Sequence, residues 1–227
     1  MSQGIMKRVA WGLFIVSFFA TPLVSAADAE EDDLYLGKYE LVSPPQPTNS
    51  KDRVEVIEFF SYACPHCNTF QPILDEWLAK QAADVEFIHL PVVYHKTWLP
   101  LAKAYYTAEA LDVQSKVHNV IFDELHNKKR NVKNEQGLAK IFKDSAGVDN
   151  ATFKENFNSF YVTTKVTNAN GAGQKYGITG VPAVVVNGKY RLSSELAGGY
   201  HNLLKIADYL IAKERKNLPT KAKADTK

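Results

Sequence analysis

Val54-Glu55-Val56-Ile57-Glu58-Phe59-Phe60-Ser61-Tyr62-Ala63-Cys64-Pro65-His66-Cys67 is the stretch whose reading decides the fold. Its first seven residues form an apolar, β-branched and aromatic run that reads as a buried strand. Beyond the second cysteine, Phe70, Leu74, Trp77 and Leu78 recur at helical spacing, so the chain passes from strand to helix across the cysteines. Cys64 and Cys67 are the only two cysteines among 227 residues. A cysteine pair two residues apart at a strand-to-helix turn is the sequence form of a redox dithiol.

Working outward, the helix is predicted to run to about Lys80, with a kink at Pro72. Val85–Pro91 reads as the next strand, so residues 54–91 form a βαβ unit with parallel pairing and a right-handed crossover. Upstream, Tyr39–Val42 suggests a short strand, and the proline-rich stretch 43–50 a turn-rich connector. Downstream the pattern turns helical for some 75 residues. Helices are expected over Pro100–Leu111, Val113–Lys128, Glu135–Ser145 and Thr152–Phe157, the last capped by Asp149 or Asn150. Ser159–Tyr176 should form one more, stopped by Gly177. Strand signals return at Ala183–Val186, turn at Asn187-Gly188 and run back through Lys189–Leu192. A final amphipathic helix spans about Tyr200–Glu214, followed by a Lys-rich tail expected to be disordered. The order βαβ, helical block, ββα predicts an α/β thioredoxin-like fold with an inserted all-helical domain. Its two parts are 27–98 and 177–214, the insert 99–176 and the tail 215–227.

Residues 1–26 stand apart. Lys7 and Arg8 precede an apolar run, Val9–Ala20, and Val24-Ser25-Ala26 offers the small residues of a cleavage site. The rival reading, an uncleaved membrane anchor, meets the difficulty that the run is shorter than the ~20 residues a span needs. A signal peptide cleaved after Ala26 is therefore expected, and residues 27–33 should be a loose, acidic N-terminus. Lys7 and Arg8 are the only charges it removes, so the 25 basic residues left balance 25 acidic ones. The formal excess of +2 in the whole sequence is then no argument for nucleic acid or an anionic surface. Export also places the cysteines in a compartment where a disulfide persists. With 45% hydrophobic residues the chain can build a core without staples.

As a structural staple the pair is poor. Closing so short a loop gives only roughly 2 kcal/mol, against ~4.7 for a 100-residue loop, and strain offsets part of it. A c-type haem site needs histidine after the second cysteine, where Asn68 stands. A closed zinc site needs four ligands, and His89, His95, His118, His126 and His201 show no ligand spacing. These five read as surface or core residues. The redox reading has a mechanism: Cys64 opens a helix, where unpaired N–H groups and the macrodipole favour a thiolate. Pro65 suits the first helical position, and a protonated His66 adds positive charge. A stabilised thiolate is a good leaving group, which makes the disulfide oxidising. Cys67, one turn in, should be more buried and act as the resolving thiol. Glu58, an acid among apolar neighbours, is expected to have its pKa raised by desolvation and to exchange a proton with Cys67. Glu55 is expected to reach solvent. Val181-Pro182, just before a buried strand, would offer the Val181 backbone to a peptide substrate; composition leaves the isomer of that bond open.

The stretch Glu58–Cys67 resembles the active site of the DsbA-type periplasmic thiol:disulfide oxidases, and Gly180-Val181-Pro182-Ala183 with Val185–Tyr190 resembles their cis-proline loop and hairpin. The resemblance covers roughly Tyr39–Leu210. Its Pro65-His66 dipeptide is fairly specific, since thioredoxins carry Gly-Pro there and eukaryotic isomerases Gly-His. It implies a strongly oxidising dithiol with Cys64 as exposed nucleophile, Cys67 as resolving thiol, His66 as thiolate stabiliser, Glu58 as buried acid and Pro182 as cis-proline. It further implies a monomer without cofactor or metal, acting in the periplasm on reduced exported proteins and reoxidised by a DsbB-type membrane quinone reductase. Two departures stand out: Gln71 replaces an acidic residue common in the family, and Val85–Pro91 lacks the lysine that often partners the buried acid. The alternatives are a disulfide isomerase or reductase using the same dithiol, or a thioredoxin-fold chaperone. Isomerases of this kind usually dimerise through a long N-terminal domain, for which residues 27–53 leave no room.

Overall fold

The computed structural model describes residues 35–219. The expected signal segment, the acidic N-terminus 27–33 and the end of the Lys-rich tail lie outside the described residues. Among those described, no helix is long and apolar enough to cross a membrane.

Five strands form one mixed sheet: β1 (Glu40–Leu41), β2 (Val54–Phe60), β3 (Val85–Pro91), β4 (Ala183–Val186) and β5 (Tyr190–Ser193). Their spatial order is β1-β5-β4-β2-β3. β2 and β3 are parallel, in register from Val54–Val85 to Phe60–Pro91. β4 runs antiparallel to both β2 and β5, and β1 closes the edge antiparallel to β5. The parallel pair requires a crossover, supplied by α1 (Pro65–Leu78), which continues through Pro72. Every residue of β2 is buried, which explains a run that is apolar but for Glu55 and Glu58.

Side chains alternate across β2, and the two faces meet different partners. Val54 and Val56 pack with Phe70, Leu74 and Trp77 of α1 and with Leu203, Ala207 and Leu210 of the last helix. Ile57 and Phe59 face the other way, against Val92, Tyr176 and Ile178. By this alternation Glu58 belongs to the face that α1 covers. Glu55 points away from it, and the expectation that it reaches solvent is corrected: it is 1% exposed. The connector folds back over it, and its Oε2 accepts the Asn49 N–H at 3.0 Å. Burial pushes the Glu55 carboxyl up, against that hydrogen bond.

Five helices occupy the chain between β3 and β4: α2 (Leu99–Ala110), α3 (Gln114–His126), α4 (Glu135–Ala146), α5 (Asn150–Phe157) and α6 (Phe160–Lys175). A short 3-10 turn at Lys96–Trp98, absent from the sequence expectations, leads into them. Asp149 is the cap of α5, its carboxylate accepting from Ala151 and Thr152 N–H. α6 ends at Gly177, whose φ of +63° only glycine adopts freely. There the Ile178 N–H reaches the Gly173 carbonyl and the Gly177 N–H that of Gln174, the paired bonds of a left-handed helix stop. The helical core contains Leu101, Val117, Leu138, Phe142 and Phe153, and it also encloses Phe60, Tyr62, Cys64 and Cys67.

After β4, Asn187 and Gly188 both take positive φ, the backbone a two-residue hairpin needs. A short helix, α7 (Ser194–Ala197), also unforeseen, precedes α8 (Tyr200–Arg215). α8 is tied to the hairpin by Glu214. That carboxylate is 2% exposed and accepts from Asn187 Nδ2, Lys189 Nζ and Tyr190 Oη.

Candidate active site

The redox centre begins where β2 stops. The Cys64 N–H donates to the Ser61 carbonyl at 3.0 Å, closing a turn. Cys64 is then the N-cap of α1 in extended conformation, with Pro65 as first helical residue. Its own carbonyl accepts from Asn68 N–H. Both cysteines are free thiols, the reduced state. Cys67 is fully buried. Cys64, which the family resemblance made the exposed nucleophile, is only 7% exposed and remains the more accessible of the two. What covers it is the proline loop: Cys64 Sγ lies 3.4 Å from the Val181 carbonyl oxygen, to which it donates only while it is a thiol. The Val181–Pro182 peptide bond is cis. Val181 N–H donates to no described group.

The two sulfurs are strongly unlike. The Cys64 thiol is lowered from its ordinary value of 9.0 to about 6. A hydrogen bond from the Cys67 thiol is the largest cause; burial opposes it, and the Cys67 and His66 backbone N–H groups add to it. The charge of His66 comes last. The free N–H groups of the first helical turn thus do more than the histidine between the cysteines. Cys67 goes the other way: burial, its hydrogen bond to Cys64 and the charge of Glu58 push its thiol far above the ordinary range. One sulfur is held as an anion at neutral pH, and the other is held as a thiol.

A groove of about 520 Å³ runs beside the dithiol, lined by His66, Thr179, Val181, Pro182 and Ser194. Glu40, Arg191 and Glu195 put charge around it. Arg191 is anchored: it pairs with Glu40 at 2.7 Å and donates to the carbonyls of Tyr176 and Gly177.

Beneath the dithiol lies a cluster that sequence reading did not assemble. Glu58 and His89 are register partners in β2 and β3, and His89 Nδ1 is 2.7 Å from Glu58 Oε2. His89 stands where the missing lysine left Glu58 without an evident partner. His118 on α3 packs on His89 with ring centroids 4.9 Å apart, and its Nδ1 is 2.7 Å from Tyr62 Oη. Burial, with His89 beside it, holds His118 well below the usual histidine range. His126, at the end of α3, bonds the Tyr62 carbonyl at 2.7 Å. Phe60 fills the centre, with the rings of Tyr62, His89, Tyr105 and His118 at 5.2–5.7 Å. Two of these three histidines hold the active-site turn to the helical block. The parallel register was the signal that could have found His89, since it is the fifth residue of β3 as Glu58 is of β2. Nothing local marks His118 or His126, which arrive from more than fifty residues away.

A pair of sulfurs so differently poised, set where a parallel βαβ unit turns into its helix and faced by a cis-proline, defines a thiol–disulfide oxidoreductase of the thioredoxin fold. The family model for the DSBA-like thioredoxin domain matches residues 88–210. The thiol:disulfide interchange protein DsbA of Pseudomonas aeruginosa is 36% identical over 204 residues, covering 89% of this chain and 96% of the relative. That of Azotobacter vinelandii is 36% identical over 212 residues, covering 92% and 99%. Among solved structures, Pseudomonas aeruginosa DsbA superposes with a TM-score of 0.75 at 36% identity, over 80% of this chain and 94% of the other. The oxidoreductase DsbA from Xylella fastidiosa gives 0.73 at 33% identity, over 79% and 96%. The chain belongs to the DsbA family of thiol:disulfide interchange proteins.

Proposed function

We propose that this protein donates its Cys64–Cys67 disulfide to reduced, newly exported proteins in the periplasm. The observation that carries the reading is the placement of the two sulfurs: Cys64 caps the start of α1 opposite the cis Val181–Pro182 bond, with its thiol lowered to about 6, and Cys67 is fully buried behind it. In the oxidised protein a substrate thiolate attacks Cys64 Sγ, the Cys64–Cys67 bond breaks and its electron pair goes to Cys67. That sulfur is buried, so it takes a proton. A second substrate thiolate then attacks the substrate sulfur of the mixed disulfide, and Cys64 departs as a thiolate. A leaving group of low pKa departs readily, which drives the exchange towards substrate disulfide. The N–H groups opening α1 and His66 stabilise that thiolate, and Glu58 serves as the buried acid. Val181 and Pro182 form the substrate-binding edge, where the free Val181 N–H offers an extended peptide a backbone partner.

On this reading residues 99–176 are an inserted helical domain between the two parts of the thioredoxin-like one, and a DsbB-type membrane quinone reductase restores the disulfide. The test pairs oxidative refolding of a reduced, multi-disulfide protein with insulin reduction. The oxidised protein should support the first far better than the second, and Cys64→Ala should abolish it. Insulin reduction without oxidative refolding would mean a reductase or isomerase. Neither activity would leave a thioredoxin-fold chaperone, and full oxidase activity in Cys64→Ala would overturn the reading of this dithiol as the oxidant.

A further inference from the structure

Cys67 must gain a proton whenever the disulfide opens and lose one whenever it closes, yet it is fully buried. Glu58 lies on the face of β2 that α1 covers, and Cys67 is a buried residue of α1, so the Glu58 charge acts on Cys67. It is itself 0% exposed and so has no direct access to water. Its Oε2 is committed to His89 Nδ1 at 2.7 Å, while its Oε1 is buried with no hydrogen-bond partner. A carboxyl group so placed can accept a proton on one oxygen and release one from the other, provided something connects it to solvent.

We propose that His89 is that connection: protons pass between Cys67 and water by way of Glu58 and His89. The side chain of His89 is 20% exposed against 1% for Glu58, so the imidazole spans the boundary. An imidazole suits the task because its two nitrogens take and give protons near neutral pH. The other groups around Glu58 do not offer the route. Tyr62, after β2, and Tyr105, on α2, are both pushed up by burial and by neighbouring charge, Glu58's included, and keep their protons. His118 on α3 gives Nδ1 to Tyr62 Oη, and its Nε2 is buried without a partner. On β4 the register partner of Glu58 is Val184, which cannot carry a proton. His89 is the titratable neighbour that touches both Glu58 and solvent.

Closing of the disulfide moves one proton out and one electron pair across. The Cys67 thiol gives its proton to the Glu58 carboxylate, and Glu58 passes one from Oε2 to His89 Nδ1, which releases one to water. The Cys67 thiolate attacks Cys64 Sγ, the Cys64–Cys67 bond forms, and the group bound to Cys64 leaves as a thiolate with the electron pair. Opening reverses each transfer. His89 touches neither sulfur, so it is a positioning and proton-passing residue rather than a catalytic one.

The inference rests on the thiol–disulfide reading of the site, and its test is independent of the direction the protein favours. Reduced protein is mixed with oxidised glutathione, and two steps are timed by acid quench between pH 5 and 8. The first is attack by Cys64, which releases one glutathione; the second is attack by Cys67 on the mixed disulfide, which releases the other. His89→Gln keeps a hydrogen-bonding group but cannot pass a proton. It should slow the second step at pH 7 about tenfold, less than the roughly hundredfold or more of a direct general acid or base because His89 acts through Glu58, and flatten its pH profile, while the first step stays within about twofold. His89→Lys, which restores a titratable group, should recover part of the loss. In the unmodified protein, heavy water should slow the second step and not the first, a readout that holds even if a variant folds poorly. A second step in His89→Gln with native rate and pH profile overturns the inference, as does an equal loss in both steps or no selective effect of heavy water. Failure of the unmodified protein to oxidise a reduced protein substrate would sink the oxidase reading alone.

Discussion

Reduction of the Cys64–Cys67 disulfide should stabilise the fold by an amount that grows with pH. The perturbation is the opening of one bond, and its consequence follows from the Cys64 thiol at about 6 in the folded state against 9.0 ordinarily. Three pH units correspond to about 4 kcal/mol of preference for the thiolate. A depressed folded-state pKa contributes stability in full above the unfolded value and loses it as pH falls through the folded one. Between those limits the folded state gains roughly 3 kcal/mol at pH 8, roughly 1 at pH 7 and almost nothing at pH 5. Cys67, raised rather than lowered, stays protonated in both states below about pH 8 and adds nothing in this window. The oxidised protein has no thiolate, so its stability lacks this slope. Guanidinium unfolding of both forms at pH 5, 6, 7 and 8 measures the difference, and Cys64→Ser should remove the pH-dependent part from the reduced protein. A reduced-minus-oxidised difference that stays flat, or shrinks as pH rises, would refute the assignment of the low pKa to Cys64.

Other expectations follow from packing and turns. Phe60→Ala empties the centre of the aromatic cluster and should cost about 3–5 kcal/mol in denaturant unfolding. Gly188→Ala needs a side chain at φ +68° and drives it into the Gln46 carbonyl; loss of 2 kcal/mol or more is expected, on the order of the larger single-site effects, while Cys64 keeps its thiolate absorbance. Burial raises the Glu214 carboxyl, but Lys189, Asn187 and Tyr190 together hold it below its usual range. Its contribution is therefore present above the unfolded value near 4.5 and lost as pH falls through the folded one. Lys189→Met should cost about 2–3 kcal/mol near neutral pH, because a buried carboxylate loses its cation; chemical unfolding against pH would expose both effects.

The centre of the sheet was legible in the sequence because β2 and β4 carry runs that burial explains, and β2 and β3 emerged with their observed limits. The hairpin was legible because Asn187-Gly188 satisfies a backbone requirement few pairs meet. The helices came through their periodicity, with ends displaced by a residue or two where caps rather than apolar spacing decide. The turn at Lys96–Trp98 and α7 stayed invisible because three or four residues are too few to show a period. At the site, Cys64, His66 and Cys67 declare themselves by adjacency, and Glu58 by its contrast with its neighbours. His89 was hidden because its meaning is the register of two strands. His118 and His126 were hidden because theirs is the docking of a helix. Glu55 was misjudged for a related reason: the side chain is polar, but the segment that covers it comes from the preceding connector.

The complete seclusion of Cys67 has a consequence for traffic through the molecule. With its partner sulfur sealed behind the first turn of α1, Cys64 is, on the proposed reading, the single terminal at which electrons enter or leave. Folded reduced protein should therefore consume one equivalent of a bulky alkylating reagent, and unfolded reduced protein two. Mixed disulfides should form at one sulfur only, so on the proposed reading any thiol captured in transit hangs from the same atom.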